Sequence, residues 1–424
     1  MSTPEEITLG EQTKNNQRVL VVAYVCSPKL GSEAGNAWNW VSHLAELGCL
    51  VELLTTKRFV DDLAPAIKAS AGLIRLHVVE APSTRGLPPQ VSVYARYLLW
   101  QTAALHYARS SDLINQAQVI HHITWSSLFW GSRFHSERPP LIFGPIGGGQ
   151  IADLRLGTPM SRGAYLKEKS RSAGIRMIRF NPLAVRTARH ADLILATNFE
   201  TLRVVMQLGA SSAQLMLDSA PPPAVMSTPP AAAKQHDHGR IIWIGRMVPI
   251  KDPVLAVEAF AELTQRVPEA TLDMFGSGSE LGRVERRVAE LGLRESVQLH
   301  GHVDWSTLPA QLDRSRVLLI SSLRESASSQ MLEALGRGVP IVGINQHGVA
   351  AFLPTDCGHL VEVGERAPVT TELAASLASI LDLSDSDWSK VSARARAAAD
   401  HMAWPEKAAE LLGTFKKLTE RAVR

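Results

Sequence analysis

The chain has 424 residues, 45% of them hydrophobic and 20% charged, which is ample core material for two domains of ordinary size. A formal net charge of +3 is too small to argue for nucleic acid, and no apolar run reaches the roughly 18 residues that a membrane span needs. The three cysteines, Cys26, Cys49 and Cys357, lack metal-ligand spacing, and an odd count argues against a disulfide framework, so a reduced, cytoplasmic protein is expected.

Residues 1–17 are polar, lack the apolar centre of a signal peptide and read as a disordered lead-in. "RVLVVAYVC" (18–26) has the β-branched composition of a strand buried on both faces. A Gly/Ser loop follows, then "NAWNWVSHLAELG", where Trp38, Val41 and Ala45 recur at helical spacing and Gly48 ends the helix. "LVELLT" is the next strand, and "AQVIHHIT", "PLIFGPIG" and "ADLILATN" continue the parallel-sheet rhythm. A Pro- and Ala-rich stretch over 221–239 reads as a linker. The rhythm then restarts with "RIIWIG", "ATLDMFG", "SVQLHG", "RVLLISS" and "PIVGI" alternating with helical segments. The expected fold is α/β: two doubly wound Rossmann-like domains, 18–220 and 240–403, facing across a cleft into which the carboxyl ends of the strands open. Residues 404–424 are expected to form a helix crossing back to the first domain.

The loop "GRMVPIKD" follows a predicted strand and carries Arg246 and Lys251 behind Gly245. Two cations there suit a diphosphate, and they equally suit an ordinary solvated loop. "FGSGSE" offers Gly276 and Gly278, which permit close backbone approach to an anion or simply a tight turn. "GSEAG" (31–35), beginning at Gly31, is the matching loop of the first half and lacks the third glycine of the dinucleotide fingerprint, which disfavours an oxidoreductase. In "RESASSQMLEALGRG", Ser328 and Ser329 suit a helix N-terminus, with Glu325 in the loop before it and Glu333 about one turn inside. Eight residues span roughly 12 Å if helical, about the reach from ribose to hexose in a sugar nucleotide. The amides of Ser326–Gln330 are placed for the phosphates between, although two solvated carboxylates would give the same spacing. Asp385 and Asp387 form a formal DxD, better read as helix capping than as a metal site.

In order and spacing, "IGRMVPIKD", "FGSGSE", "HGHV" and "RESASSQMLEALGRGVPIVGINQHG" resemble the retaining glycosyltransferases of family 4, which have the GT-B fold. The first half, through "SPKLGSEAGNAWNW", "HHITW" and "GPIGGGQ", resembles one bacterial subgroup with a GSExG…WNW first loop. The resemblance implies a nucleotide-sugar-binding second domain and an acceptor-binding first domain. It implies that Arg246 and Lys251 hold the donor diphosphate, that Glu325 lies at the donor sugar and that Glu333 lies at the ribose. Gly31, Gly245, Gly276, Gly278, Val303, Ser326, Ser328, Ser329 and Gln330 complete the implied donor site. His122, with His121 as the neighbouring register, is implied to face donor and acceptor, and Trp125 and Gly148 are assigned more weakly to the acceptor. The catalytic set is Glu325, His122, Arg246 and Lys251. The donor implied is a UDP-sugar, with GDP next, and no metal is required. The acceptor is a hydroxyl on a glycan, a lipid-linked glycan or a small natural product. A GT-B nucleotide-sugar epimerase and a non-catalytic nucleotide-sugar-binding protein are the alternatives.

Departures from the family pattern are Ala34, Gln150, Asp252, the serines of "SASS" and His347-Gly348, most of them around the expected donor sugar. The segment 161–190 holds eight cations against Glu168 alone, with Tyr165, Ile175, Met177, Ile178 and Phe180 interspersed. Weak peripheral membrane contact, an anionic acceptor and a solvated helical lobe all fit it.

Overall fold

The computed structural model describes residues 17–82, 89–123, 125, 127–156, 161–226 and 238–423. The expected lead-in, apart from Gln17, and residues 227–237 of the expected linker lie outside the described residues. The strands of the first half are β1 (Arg18–Val22), β2 (Leu50–Thr55), β3 (Ile74–Val78), β4 (Val119–His122), β5 (Leu141–Ile146), β6 (Leu193–Ala196) and β7 (Ala213–Leu215). Those of the second are β8 (Arg240–Ile244), β9 (Thr271–Phe275), β10 (Val297–Gly301), β11 (Val317–Ile320), β12 (Ile341–Ile344) and β13 (Gly358–Val361). They form a seven-stranded sheet in the order β3-β2-β1-β4-β5-β6-β7 and a six-stranded sheet in the order β10-β9-β8-β11-β12-β13. The strand order reverses beside β1 and beside β8, so both expected Rossmann-like sheets are present.

The chain divides into two compact units: 1–125, 136–142 and 408–424 in the first, and 126–135 and 143–407 in the second. In the first, β1 is apolar after Arg18, and Val19–Val22 are fully buried, as a strand covered on both faces requires. The helix Ser32–Glu46 buries Trp40, Val41, Leu44 and Ala45. Its core tryptophan is Trp40; Trp38, which the spacing had placed inward, is only half-buried. The helix Pro89–Ser110 buries Tyr97, Trp100, Ala104 and Ala108, a stripe of helical period that faces the core. Phe415, on the helix Trp404–Val423, sets its ring edge against His121, 5.9 Å between centroids.

In the second unit, the six-stranded sheet is covered on both faces. Alternation along β11 sends Val317 and Leu319 into one apolar cluster and Leu318 and Ile320 into another. The first cluster takes the helices Pro253–Leu263 and Arg366–Leu381; the second takes Ser329–Gly336 and Asp385–His401. Ser384 caps the last of these by accepting from the Asp387 N–H at 3.1 Å. Asp385 accepts from Arg316 at 3.2 Å and Asp387 from Lys390 at 2.8 Å, so the formal DxD is a capped helix start.

Candidate functional site

The loops after β8, β9, β10 and β11 leave neighbouring strands at their carboxyl ends, and backbone hydrogen bonds zip them together. The Gly245 N–H donates to Phe275 O at 2.9 Å, Met247 N–H to Ser277 O at 2.9 Å and Gly276 N–H to Gly301 O at 2.7 Å. This closeness explains the two glycines. Both have positive φ, and a Cβ would fall 1.8 Å from Gly245 O at Gly276 and 2.3 Å from Met247 O at Gly278. Their lack of side chains lets one loop lie on the next.

Lys251 ends the short turn Pro249–Lys251. Its carbonyl accepts from the Ser321 hydroxyl at 2.9 Å, and that hydroxyl also accepts from Trp243 Nε1 at 3.0 Å. Leu323 N–H donates to Ile250 O at 2.8 Å, which ties this turn to the loop after β11. The result is that Lys251 Nζ donates to Glu325 Oε1. The same oxygen accepts from Ser322 Oγ at 2.9 Å and from Gln330 Nε2 at 3.4 Å. Both partners of the ion pair are largely but not wholly buried, with side-chain exposures of 16% and 12%. Arg246, in contrast, is exposed and its side chain has no hydrogen bond or ion pair among the described residues.

The helix Ser329–Gly336 starts beside this cluster with Ser328 at its cap position. Ser328 Oγ is buried and has no hydrogen-bond partner among the described residues. Such a hydroxyl beside a helix N-terminus is where an anionic ligand would complete the bonding. Glu333, one turn further on, is 8% exposed, and Trp305 Nε1 donates to it at 3.2 Å. Burial pushes its carboxyl up from 4.5 to about 7, against the smaller opposing pull of the Trp305 hydrogen bond. Val303, two residues before Trp305, is half-buried, Ser329 is exposed and Gln330 buried.

Ser326 is held from several sides. Its hydroxyl shares a 2.7 Å hydrogen bond with Thr197 Oγ1, and its carbonyl accepts from Asn198 Nδ2 at 3.2 Å. A Cβ at Gly147 would lie 2.2 Å from Ser326 Oγ, and one at Gly348 would lie 2.3 Å from Ser326 O. Gly148 donates its N–H to Gln150 Oε1 at 2.7 Å, so Gln150 closes the glycine run on itself. Two departures from the family pattern also acquire a reason. Asp252 and His347 have φ of 37° and 57°, where glycine is most at ease. Asp252 caps the helix Pro253–Leu263 through the Leu255 N–H at 3.1 Å and takes Arg366 at 2.8 Å. His347 Nδ1 lies 3.3 Å from Glu200 Oε1. Burial raises the Glu200 pKa, but the His347 hydrogen bond and charge outweigh it and the net direction is down.

In the first compact unit, His121 and His122 are fully buried at the end of β4. His122 Nε2 lies 3.1 Å from the Tyr97 hydroxyl, which accepts from the Trp125 N–H at 2.8 Å. Trp125 packs against Tyr24, Tyr94 and Tyr97 with centroids 5.0–5.7 Å apart. His121 sits between Trp40 and Phe415. Gly31, at the start of the helix Ser32–Glu46, has open space where a Cβ would be.

The structure thus gathers Lys251, Glu325, Ser328, Gln330 and the backbones of Gly245, Gly276 and Gly278 in one unit. It sets His121, His122, Trp125 and Gly31 in the other. Trp305, Thr197, Asn198 and Arg324 were not foreseen. Trp305 lies two residues past the noted "GHV" turn. Arg324 donates to the buried Glu168 at 2.9 Å, and the sequence signal for that was Glu168 itself, alone among eight cations.

Residues 228–393 match the family described as Glycosyl transferases group 1. The chain is 33% identical over 98 residues to the UDP-N-acetylglucosamine–peptide N-acetylglucosaminyltransferase GtfA subunit of Streptococcus gordonii, covering 23% of this chain and 19% of that protein. It is 25% identical over 334 residues to D-inositol 3-phosphate glycosyltransferase 2 of Catenulispora acidiphila, covering 72% of each. Sucrose-phosphate synthase from Thermosynechococcus elongatus superposes with a TM-score of 0.64 at 16% identity, over 96% of this chain and 100% of that one. The fold is GT-B. The chain spans about a fifth of the length of the first of these relatives.

Proposed function

We propose that the protein is a retaining glycosyltransferase of family 4 that moves a sugar from a nucleotide-sugar donor to a hydroxyl acceptor. The observation that carries this reading is the convergence of Lys251, Glu325 and Gln330 beside the N-terminus of the helix Ser329–Gly336, where Ser328 Oγ is buried without a partner. The match to the glycosyltransferase family over 228–393 covers the same residues.

In this reading Arg246 and Lys251 take the donor diphosphate, and Glu333 takes the ribose hydroxyls. Lys251 leaves Glu325 as the diphosphate arrives, which frees the carboxylate to orient the transferred sugar. Gly245, Gly276, Gly278, Val303, Ser326, Ser328, Ser329 and Gln330 line the donor site, with Gly31 contributed by the first half. The bond from the anomeric carbon to the leaving phosphate oxygen breaks through an oxocarbenium-like state. The two cations stabilise the charge growing on the diphosphate, so the proposal includes no metal. The leaving oxygen accepts the acceptor's proton while the acceptor oxygen bonds to the same face. His122, with His121, Trp125 and Gly148, is assigned to the acceptor side. UDP is the default nucleotide, supported by the donor named for the Streptococcus relative, and GDP is next. Three buried, unbridged cysteines support a cytoplasmic location.

The test is product analysis over a panel of UDP- and GDP-sugars with and without glycan and polyol acceptors. Free nucleotide that forms only with acceptor, and an anomeric configuration unchanged by NMR, are expected. A changed sugar still attached to its nucleotide would replace transfer with epimerisation, and an inverted anomer would remove the retaining mechanism.

A further inference from the structure

The basic segment 161–190 folds into the helices Arg162–Arg176 and Pro182–His190 joined by the turn Ile178–Phe180. Its one acid does not offset its cations at the surface. Glu168 is buried with Ser172 and Ile175 on the inward face of the first helix, and its carboxylate takes Arg324. Arg171 is also turned inward, donating to Gln150 O at 2.7 Å, and burial, reinforced by Arg324, lowers its pKa to about 10. The face left outward carries Arg162, Lys167, Lys169, Arg176 and Arg179, all exposed.

The same segment exposes large apolar side chains. Leu166 is 64% exposed, Met177 60% and Phe180 67%. The helix Phe199–Gln207 adds Phe199 and Met206, which share one stripe with the exposed Arg203 at helical spacing. Between these elements lies a cavity of about 590 Å³. Arg176, Arg179 and Arg203 stand around it, with Ile175, Ile178 and Leu208 among its apolar wall. Arg176 and Arg203 have no carboxylate partner among the described residues, and the one acid on the wall, Glu200, is engaged by His347. Arg179 lies over the Phe180 ring, 4.9 Å from its centroid. Arginines without a carboxylate partner around an apolar cavity, edged by exposed Met and Phe, match the layering of an anionic bilayer, with phosphates above acyl chains.

We propose that this corner docks on an anionic lipid surface, with the cavity taking a lipid phosphate and Met177 and Phe180 entering the acyl boundary. The inference does not depend on glycosyl transfer, because no residue of the donor cluster takes part.

The experiment is sedimentation of the full chain with vesicles of phosphatidylcholine, with and without phosphatidylglycerol. Binding should require phosphatidylglycerol and weaken with salt. Arg176→Glu with Arg179→Glu should lower the apparent affinity roughly five-fold for each arginine lost. Met177→Ser with Phe180→Ser should lower it while leaving the salt dependence in place. All four positions are exposed, and circular dichroism and melting curves check that both variants are folded. Soluble glycerol phosphate should fail to release the protein from the vesicles. Equal binding to phosphatidylcholine alone, no binding to either vesicle, or binding unchanged in both variants overturns the proposal. Release by glycerol phosphate would assign the cavity to a free phosphate ester. A dimer dissolved by the Met177/Phe180 variant would assign the apolar face to a second copy of the chain.

Discussion

The two places where the sequence puts candidate chemistry are built differently. The end of β11 brings polar groups together and leaves their bonding incomplete. Lys251 and Glu325 keep partial exposure, Arg246 is open to solvent and Ser328 Oγ lacks a partner. The end of β4 is enclosed instead. His121 and His122 are sealed among Trp40, Tyr97, Trp125 and Phe415. A site that awaits a ligand keeps charged groups within reach of solvent, whereas a packed end shuts its polar groups away. The comparison teaches that proximity to a strand end is a weak guide and that polar groups a ligand can reach are a better one.

The sharpest way to break this contrast is Lys251→Ala. If the lysine meets a diphosphate, turnover should fall on the order of 100- to 1,000-fold, the usual effect of losing one donor aimed at developing charge. Lys251→Ala also leaves the largely buried Glu325 without its partner, so some melting temperature is lost, but turnover should fall much further than that loss accounts for. Glu325→Ala should lose turnover to a similar degree while nucleotide affinity stays within about three-fold, since Glu325 is assigned to the sugar (1.4 kcal/mol being tenfold). Parallel losses of melting temperature and turnover in Lys251→Ala would return the pair to a structural role. A collapse of nucleotide affinity in Glu325→Ala would undo the division of labour.

Most of the fold was legible because buried parallel strands are short apolar runs and their loops carry Gly and Ser. What was missed had weaker marks. Strand β3, "IRLHV", mixes charge with apolar residues, and β7 has three residues, too few for any period. The loops after β8, β9 and β11 were placed on successive strands of one sheet, but the purpose of Gly276 and Gly278 was not legible. A loop lying on its neighbour and a loop lying on a phosphate ask for the same residue. The Lys251–Glu325 pair was also invisible, because 74 residues of chain separate its members and only the adjacency of β8 and β11 joins them. Asp252 and His347 stood out in the sequence only as departures from the family pattern. The structure puts both in the left-handed region, each held by a side-chain contact that glycine could not make.

His122 tests the other side of the comparison. His122→Ala opens a cavity and strips a buried hydrogen bond, at a cost of about 1–3 kcal/mol, which lowers the melting temperature by several degrees. If His122 also faces the acceptor, turnover of the folded fraction should drop roughly 10- to 100-fold beyond that loss. Tyr97→Phe separates the two effects. It keeps the ring in place and removes only the hydroxyl that reaches His122 and the Trp125 N–H. A fall in kcat at unchanged donor KM is expected. Unchanged kcat in both variants, measured on folded protein, would make this strand end purely structural.

The smallest expected effect is the most diagnostic of ligand chemistry, and it belongs to Glu333. Its pKa is raised from 4.5 to about 7, by burial first, so the sign follows directly. Below pH 4.5 the group is protonated in both folded and unfolded chains and contributes nothing to the pH dependence. As pH rises from 4.5 to about 7, the unfolded chain releases this proton and the folded chain retains it, so stability falls. Above about 7 the cost is complete and constant. Glu333→Gln should therefore flatten the melting profile across that window. A ribose that donates two hydroxyls favours the carboxylate form and supplies bonds that burial alone denies. Nucleotide binding should then expel a proton below pH about 7, and affinity should rise several-fold through that pH in the native chain. Calorimetric titration in buffers of different ionisation enthalpy reads the proton directly. A native affinity independent of pH, or the same slope in Glu333→Gln, would take Glu333 away from the ribose and leave it as the acceptor for the Trp305 N–H.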